Sequence, residues 1–238
     1  MKLVVMQPYI FPYIGYFQLL AAADRFVVYD DVQFIKGGWI NRNQLLVNDR
    51  AWLFTVPLEQ PSPNRLIKDI ELRPSQTWQP KLLQTISQNY RRAPYYTDTI
   101  NLIEQILSTR DPTIADLIRT SLQTLIDYLK LPVQLIASSE IYINAHLRAQ
   151  TRVMDICRQE GASCYINAMG GRALYDGTTF QQSGVTLQFL QPELTPYKQV
   201  GKSREFIPGL SIIDVLMNNS VDQVRTLLDC YMLLPGLD

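Results

Sequence analysis

The apolar positions of this chain change period several times, and each change marks an element. Leu3 to Met6 is a short valine-rich run, the pattern of a strand buried on both faces. The stretch from Ile14 to Ala23 has helical composition and stops before Asp24. "RFVVYDD" then reads as a second strand with acids at its carboxyl end. That order predicts a crossover joining two parallel neighbours. After Gly37-Gly38, "WINRNQLLV", the turn "NDR" and "AWLFTVPL" alternate as a β-hairpin does. "PSPN" and "RPSQ" punctuate loops.

From Thr77 to Lys130 three helical stretches follow, broken at "RRAPYY" and "TRDPT". In the last, Ile114, Leu117, Ile118, Leu122, Leu125, Ile126 and Leu129 recur at three- and four-residue steps, an apolar face expected to pack into the core. Strand and helix then alternate again. "PVQLIAS" is a strand, residues 147–160 form a helix stopped by Gly161, and "SCYINA" is the next strand. A turn at "MGG", a short helix near "ALYDGTTFQQSG" and the strand "VTLQFL" complete the series. The sum is about five parallel strands joined by helices, a three-layer, Rossmann-like, doubly wound α/β sheet. A hairpin and a helical segment are inserted after its second strand. We expect one domain over residues 1–238. Residues 58–130 form either a helical subdomain within it or a cover for one face of the sheet.

Composition narrows the class. With 238 residues, 47% hydrophobic and 18% charged, the chain can bury a sizeable core and is globular. Basic and acidic residues balance at 22 each, so no net field draws the molecule to nucleic acid or anionic lipid, and no nucleic-acid partner is expected. Cys157, Cys164 and Cys230 are sparse, odd in number and unrelated by any C-x-x-C spacing, which fits buried thiols in a reducing cytoplasm. Cys157 sits beside Val153 and Met154 on a helical apolar face and is expected in the core. The first residues are too briefly apolar for a secretory leader, and no run approaches the ~20 apolar residues of a membrane span. Oligomeric state is not legible.

In open parallel sheets, ligands bind beyond the carboxyl ends of the strands, so the loops there carry the candidate chemistry. The first is "QPYIFPYIG", residues 7–15. Pro8 and Pro12 stiffen it, Gly15 permits close approach of the backbone, and the following helix offers free N–H groups to an anion. Its aromatics either stack on a base or sugar, with Gln7, Tyr13 and Gly15 as contacts, or form a minicore sealing the sheet end. The second loop concentrates Asp30, Asp31, Gln33, Lys36, Trp39, Asn41, Arg42 and Asn43. Paired aspartates suit a metal, an amine or ribose hydroxyls. Lys36 and Arg42 suit phosphate, and Trp39 suits stacking.

The third loop is "YINAMGGRALYD". Gly170-Gly171 before a short helix is similar to a phosphate-cradling turn, with Asn167 and Tyr175 adding hydrogen-bonding edges. An ordinary strand-to-helix turn fits the same residues. The fourth groups Lys198, Lys202 and Arg204, which suit a loop that closes over phosphate. In "LSIIDVLMNN", Ser211 and Asp214 read as a helix cap and its acidic partner, with catalysis as the rival reading. His146 is the only histidine, and no G-x-S-x-G, H-E-x-x-H or Walker A run occurs, which argues against a serine hydrolase, a metalloprotease or a P-loop ATPase.

"QPYIFPYIGYFQLL", "DDVQFIKGGWINRN", "YINAMGGRALYD" and "LSIIDVLMNN" together resemble the WbqC-like protein family, in order and over nearly the whole chain. Ala168 stands where the family pattern leads one to expect proline. The resemblance implies a bacterial protein associated with O-antigen or other surface-polysaccharide biosynthesis, working alongside enzymes of amino-sugar nucleotides. A looser resemblance in layout links the chain to HIGH-type nucleotidyltransferases, but "PYIGYF" stands where their histidine pair would be.

Three readings follow. The first is an enzyme acting on a nucleotide-linked amino sugar by acyl or aminoacyl transfer. Gln7, Tyr13, Gly15 and Trp39 would hold base and sugar, Lys36, Arg42, Lys202 and Arg204 would neutralise diphosphate, and Asp30 or Asp31 would act as general base. The second is an ATP-dependent activating or nucleotidyltransferase-like enzyme using Mg²⁺ held with help from the aspartates. The third is a non-catalytic nucleotide-sugar-binding protein.

Overall fold

The computed structural model describes residues 1–201, 203 and 205–236. Lys202 and Arg204, expected to meet phosphate, lie outside the described residues. The first half runs β1 (Lys2–Met6), α1 (Ile14–Ala22), β2 (Arg25–Val28), β3 (Arg42–Val47), β4 (Arg50–Thr55), α2 (Gln79–Tyr90), α3 (Tyr96–Leu107) and α4 (Ile114–Leu129). The second runs β5 (Gln134–Ile136), α5 (Ala149–Glu160), β6 (Cys164–Ala168), α6 (Gly177–Gln182), β7 (Thr186–Pro192), α7 (Ile212–Asn218), α8 (Val221–Leu228) and β8 (Tyr231–Pro235).

Six strands form one sheet in the order β5-β2-β1-β6-β7-β8. The five expected strands are all parallel to their neighbours, and β8 adds an antiparallel edge against β7 that the sequence pattern did not reveal. Along β1, Val4 faces one core while Leu3 and Val5 face the other, which is why the strand is apolar throughout. α5 and α6 supply Val153, Ile156, Cys157 and Phe180 to the second core. Burial pushes the Cys157 thiol up to about 12, so it remains protonated. On the opposite face α1 is buried along nearly its full length, and the core beneath it continues into α2, α3 and α4. Gln18, on α1, lies with its amide nitrogen within hydrogen-bond distance of the carbonyls of Glu193, Leu227 and Cys230, which ties the helix to the end of the chain. Among the described residues no helix is long and apolar enough to cross a membrane.

Local signals set most boundaries. Thr113 and Asp116 close a reciprocal capping box on α4, and Lys130 ends that helix in the left-handed region. Gly161 ends α5 at φ 65°. The β3–β4 hairpin turns on Asn48 and Asp49, both at positive φ, the backbone a two-residue hairpin loop requires.

The loop after β1 is held less by its prolines than by its neighbours. Phe11 adopts φ 41°, a strained region for a large side chain, while its ring is buried. Its carbonyl accepts from Asn43 Nδ2 at 2.9 Å and from Ser211 Oγ at 2.7 Å. Ile10 N–H donates to the Ile40 carbonyl, and Ile212 N–H donates to the Pro12 carbonyl. The corner is therefore clamped between the approach to β3 and the start of α7.

Ser211 caps α7 by accepting from Ile213 N–H, but Asp214 is not its capping partner. The Asp214 carboxylate is fully buried and accepts from Tyr90 at 2.8 Å, Tyr197 at 2.6 Å and Gln199 at 2.9 Å. Burial raises its pKa and the three donors oppose that shift. Tyr90 also accepts from Leu46 N–H, so α2, α7, the hairpin and the segment around 197–199 meet at one buried anion.

Two outcomes follow from these contacts. Asn43→Ala strips the donor from two buried carbonyls and should cost about 1–3 kcal/mol in chemical denaturation. Tyr197→Phe removes a donor to ionised Asp214 and raises its folded pKa further. The cost of the variant should therefore be small near pH 4, where protonated Asp214 gains less from the phenol, and grow as pH rises toward 7. Denaturation curves at the two pH values check the sign.

Candidate functional site

The chain leaves β1 toward β2 and β5 on one side and returns to β6 and β7 on the other, so the strand order reverses between β1 and β6. The loops at the carboxyl ends beside this reversal hold a polar cluster inside an otherwise apolar sheet. Tyr29 follows β2 directly, its N–H donating to the Met6 carbonyl at the end of β1. The Arg152 guanidinium, from α5, lies over the Tyr29 ring with 4.9 Å to its centroid. Tyr165 from β6 and Tyr175 from the following loop approach with their hydroxyl oxygens 3.3 Å apart. Burial raises the phenol pKa of all three tyrosines, so each is a neutral donor at physiological pH, although Arg152 opposes the shift at Tyr29. Arg148 adds an exposed positive charge whose field also reaches Tyr29.

The two aspartates that end β2 have different environments. Asp31 is buried, forms an ion pair with Arg152 through Oδ2 and accepts from the Ser139 hydroxyl through Oδ1. Arg152 is buried as well and donates onward to Asn144 Oδ1 at 3.0 Å. Both Asp31 oxygens are engaged, so its role is to hold Arg152 in position. Asp30 is also buried and accepts through Oδ1 from Ser138 Oγ at 2.6 Å and Ser139 N–H at 3.3 Å, with its own backbone N–H also hydrogen-bonding the carboxylate, but no cation among the described residues pairs with it. Burial raises its pKa against those hydrogen bonds. Of the pair, Asp30 has the chemistry of a proton acceptor.

Of the two aspartates Asp31 is already taken up by Arg152 and Ser139, and among the described residues no group of three or more His, Cys, Asp or Glu side chains is gathered, so a Mg²⁺ brought by ATP would draw on Asp30 and the phosphates for ligands.

The remaining expected contacts separate into two groups. Asn167, Gly170, Gly171 and Tyr175 lie beside the strand-order reversal. Asn167 is buried, and its amide hydrogen-bonds Tyr175. Gly170 and Gly171 lie inside a 3₁₀ helix over Met169–Leu174, whereas α6 begins only at Gly177. A Cβ at Gly171 would come within 2.5 Å of Asn167 Nδ2, so the close approach this glycine allows is to Asn167. Gln7 is half-buried, its carbonyl accepting from the Tyr16 hydroxyl at 2.9 Å.

The other group builds the corner and the hairpin base. Gly15 makes room for the ring of Tyr13, whose Cε2 would lie 2.5 Å from a Cβ there. Phe11, Tyr16 and Phe17 are buried as an aromatic minicore, and Tyr9 and Tyr13 are half-buried. Asn41 donates to the Val56 carbonyl at 2.8 Å, and Asn43 holds Ile10 and Phe11. Arg42 donates to the Gly38 carbonyl at 2.8 Å and lies 5.8 Å from the centroid of exposed Trp39. Lys36 is exposed and makes no ion pair with a described residue.

Sequence reading missed Tyr29, Ser138, Ser139, Arg148, Arg152 and Tyr165. Position at a strand end was an available signal for Tyr29 and Ser138. Arg152 gave none, because a charged residue within a helix ordinarily reads as solvated.

A model of the WbqC-like protein family matches residues 7–226. An uncharacterized protein of Mycobacterium tuberculosis is 26% identical over 220 residues, which cover 91% of this chain and 93% of that protein. No solved structure matches.

Asp31→Asn removes the charge that faces buried Arg152 and should cost about 3–5 kcal/mol of stability, the penalty for an unpaired buried ion. Asp30→Asn, with no cation opposite among the described residues, should cost far less. Urea denaturation of the two variants side by side tests the distinction.

Proposed function

The chain belongs to the WbqC-like protein family, and from that premise we propose that it is an enzyme of bacterial surface-polysaccharide biosynthesis, transferring an acyl or aminoacyl group to a nucleotide-linked amino sugar. The observation that carries this reading is the inequality of the two aspartates. Asp30 has no cation partner among the described residues and a pKa raised by burial, while Asp31 is committed to Arg152. Acyl transfer to an amine needs a base of the first kind. As the nitrogen bonds to the acyl carbon and the leaving group departs, the nitrogen must lose a proton, and Asp30 accepts it. A carboxylate whose pKa is raised toward the working pH is a stronger base than an ordinary one.

The polar edges beside the reversal supply recognition. Tyr29 and Tyr175 are neutral phenols suited to sugar hydroxyls, Asn167 offers an amide, and Arg148 is an exposed cation suited to phosphate. Gln7, half-buried in the loop after β1, is a candidate for contact with the base. None of these groups is a nucleophile, so the scheme is direct transfer between two bound substrates without a covalent enzyme intermediate.

The test is incubation of the pure protein with amino-sugar nucleotides and acyl or aminoacyl donors, read by mass spectrometry. The expected result is a product heavier by the acyl group, with Asp30→Asn reducing turnover by about 100-fold or more. No mass change with any donor would remove the transferase reading. Pyrophosphate release from ATP would replace it with activation of an acid, and thermal stabilisation by the sugar nucleotide without turnover would leave a binding protein.

A further inference from the structure

A cavity of about 810 Å³ is lined by none of the residues assigned to transfer at the strand ends, but it does include Lys198, which the sequence suggested for phosphate. Its walls are the β3–β4 turn, the end of α2 and the segment 198–201, with Asn218 of α7 between them. Three cations face it: Arg91 and Arg92, which follow α2, and Lys198. All three are exposed, and none forms an ion pair with a described residue. The one acid in the lining, Asp49, already accepts from Ser203 N–H at 3.2 Å. Asn48, Gln88 and Asn89 add neutral amides. In a chain with equal numbers of acids and bases, this is a local excess of positive charge.

The walls are fixed in place. Tyr90 from α2 and Gln199 from the opposite wall both donate to buried Asp214. Tyr90 also accepts from Leu46 N–H, which brings in the hairpin. Asn218 accepts from Val200 N–H at 2.8 Å and donates to the Asp214 carbonyl at 2.7 Å. The buried carboxylate thus sets the spacing of all three sides, and the cations sit on a preorganised frame.

From this arrangement we infer a second binding site, for an oligophosphate such as the diphosphate or triphosphate chain of a nucleotide. Three points select the class. Adjacent arginines present planar forks that match phosphoryl oxygens, and a lysine opposite supplies a point charge. The volume is that of a nucleotide-sized ligand and exceeds what orthophosphate would fill. The amide-rich remainder of the lining suits the polar edges of a base or ribose rather than an apolar chain. The inference is independent of the transfer chemistry proposed at the strand ends.

Titration calorimetry with inorganic pyrophosphate, orthophosphate and ADP in low salt tests it on the full chain. Pyrophosphate and ADP should bind at least about tenfold more tightly than orthophosphate, and the affinity should fall as salt is raised, because exposed cations are screened. The double variant Arg91→Ala/Arg92→Ala should weaken pyrophosphate by about tenfold or more with its melting temperature unchanged, since neither side chain has a partner to lose. Asp30→Asn should leave pyrophosphate binding as it is. Unchanged affinity in the arginine variant, or no pyrophosphate binding at millimolar concentration, overturns the inference. Loss of binding in Asp30→Asn with the arginine variant intact would assign the anion to the strand ends instead.

Discussion

The carbonyl of Phe11 is the point on which the arrangement of this protein turns. It belongs to a bulky residue held at positive φ, a conformation that costs about 1–3 kcal/mol unless its surroundings compensate. The compensation comes from far along the chain: Asn43 and Ser211 both donate to that one oxygen, and the Phe11 ring is removed from water. Because the same Asn43 also reaches Ile10, and the backbones of Ile40 and Ile212 join in, the loop after β1 becomes a clasp between the hairpin and α7. Three of the motifs that mark the family thereby meet in space, and they meet first as structure.

A second buried polar centre stands behind the clasp. Among the described residues Asp214 has no cation beside it and is held by two phenols and an amide, an arrangement that tolerates a buried charge by surrounding it with donors. Its donors come from α2 and from the segment that follows β7, so this carboxyl group ties the two together. Asp31 solves the same problem differently, by pairing with buried Arg152. One carboxylate orients walls and the other orients a guanidinium. Asp30 stands apart because it is held by hydrogen bonds alone, with no cation among the described residues beside it.

The parallel core was legible because each of its signals is local. A valine-rich run, a Pro-aromatic turn, an Asn-Asp hairpin turn and a glycine after a helix each act through residues adjacent in the chain. β8 escaped because a short half-buried edge strand has neither the apolar continuity of a central strand nor clean alternation. Asp214 carried the spacing of a capping partner, and spacing alone does not say whether a side chain turns to its own helix end or into the core. Gly15 and Gly171 likewise announced close approach, but the groups that approach are Tyr13 and Asn167.

The sequence by itself determined the sheet, the helices, the inserted hairpin and the fact that unusual polar residues gather at the carboxyl ends of the strands. These follow from periodicity and from backbone preferences that a few neighbouring residues express. Only the tertiary structure decided which polar groups are committed and which remain available. Asp31 meets Arg152 across 121 residues and Asp30 meets Ser138 across 108, separations at which no local pattern reports a partner. The role of a charged side chain is set by what desolvates and neutralises it, and that is a property of the folded neighbourhood rather than of the chain.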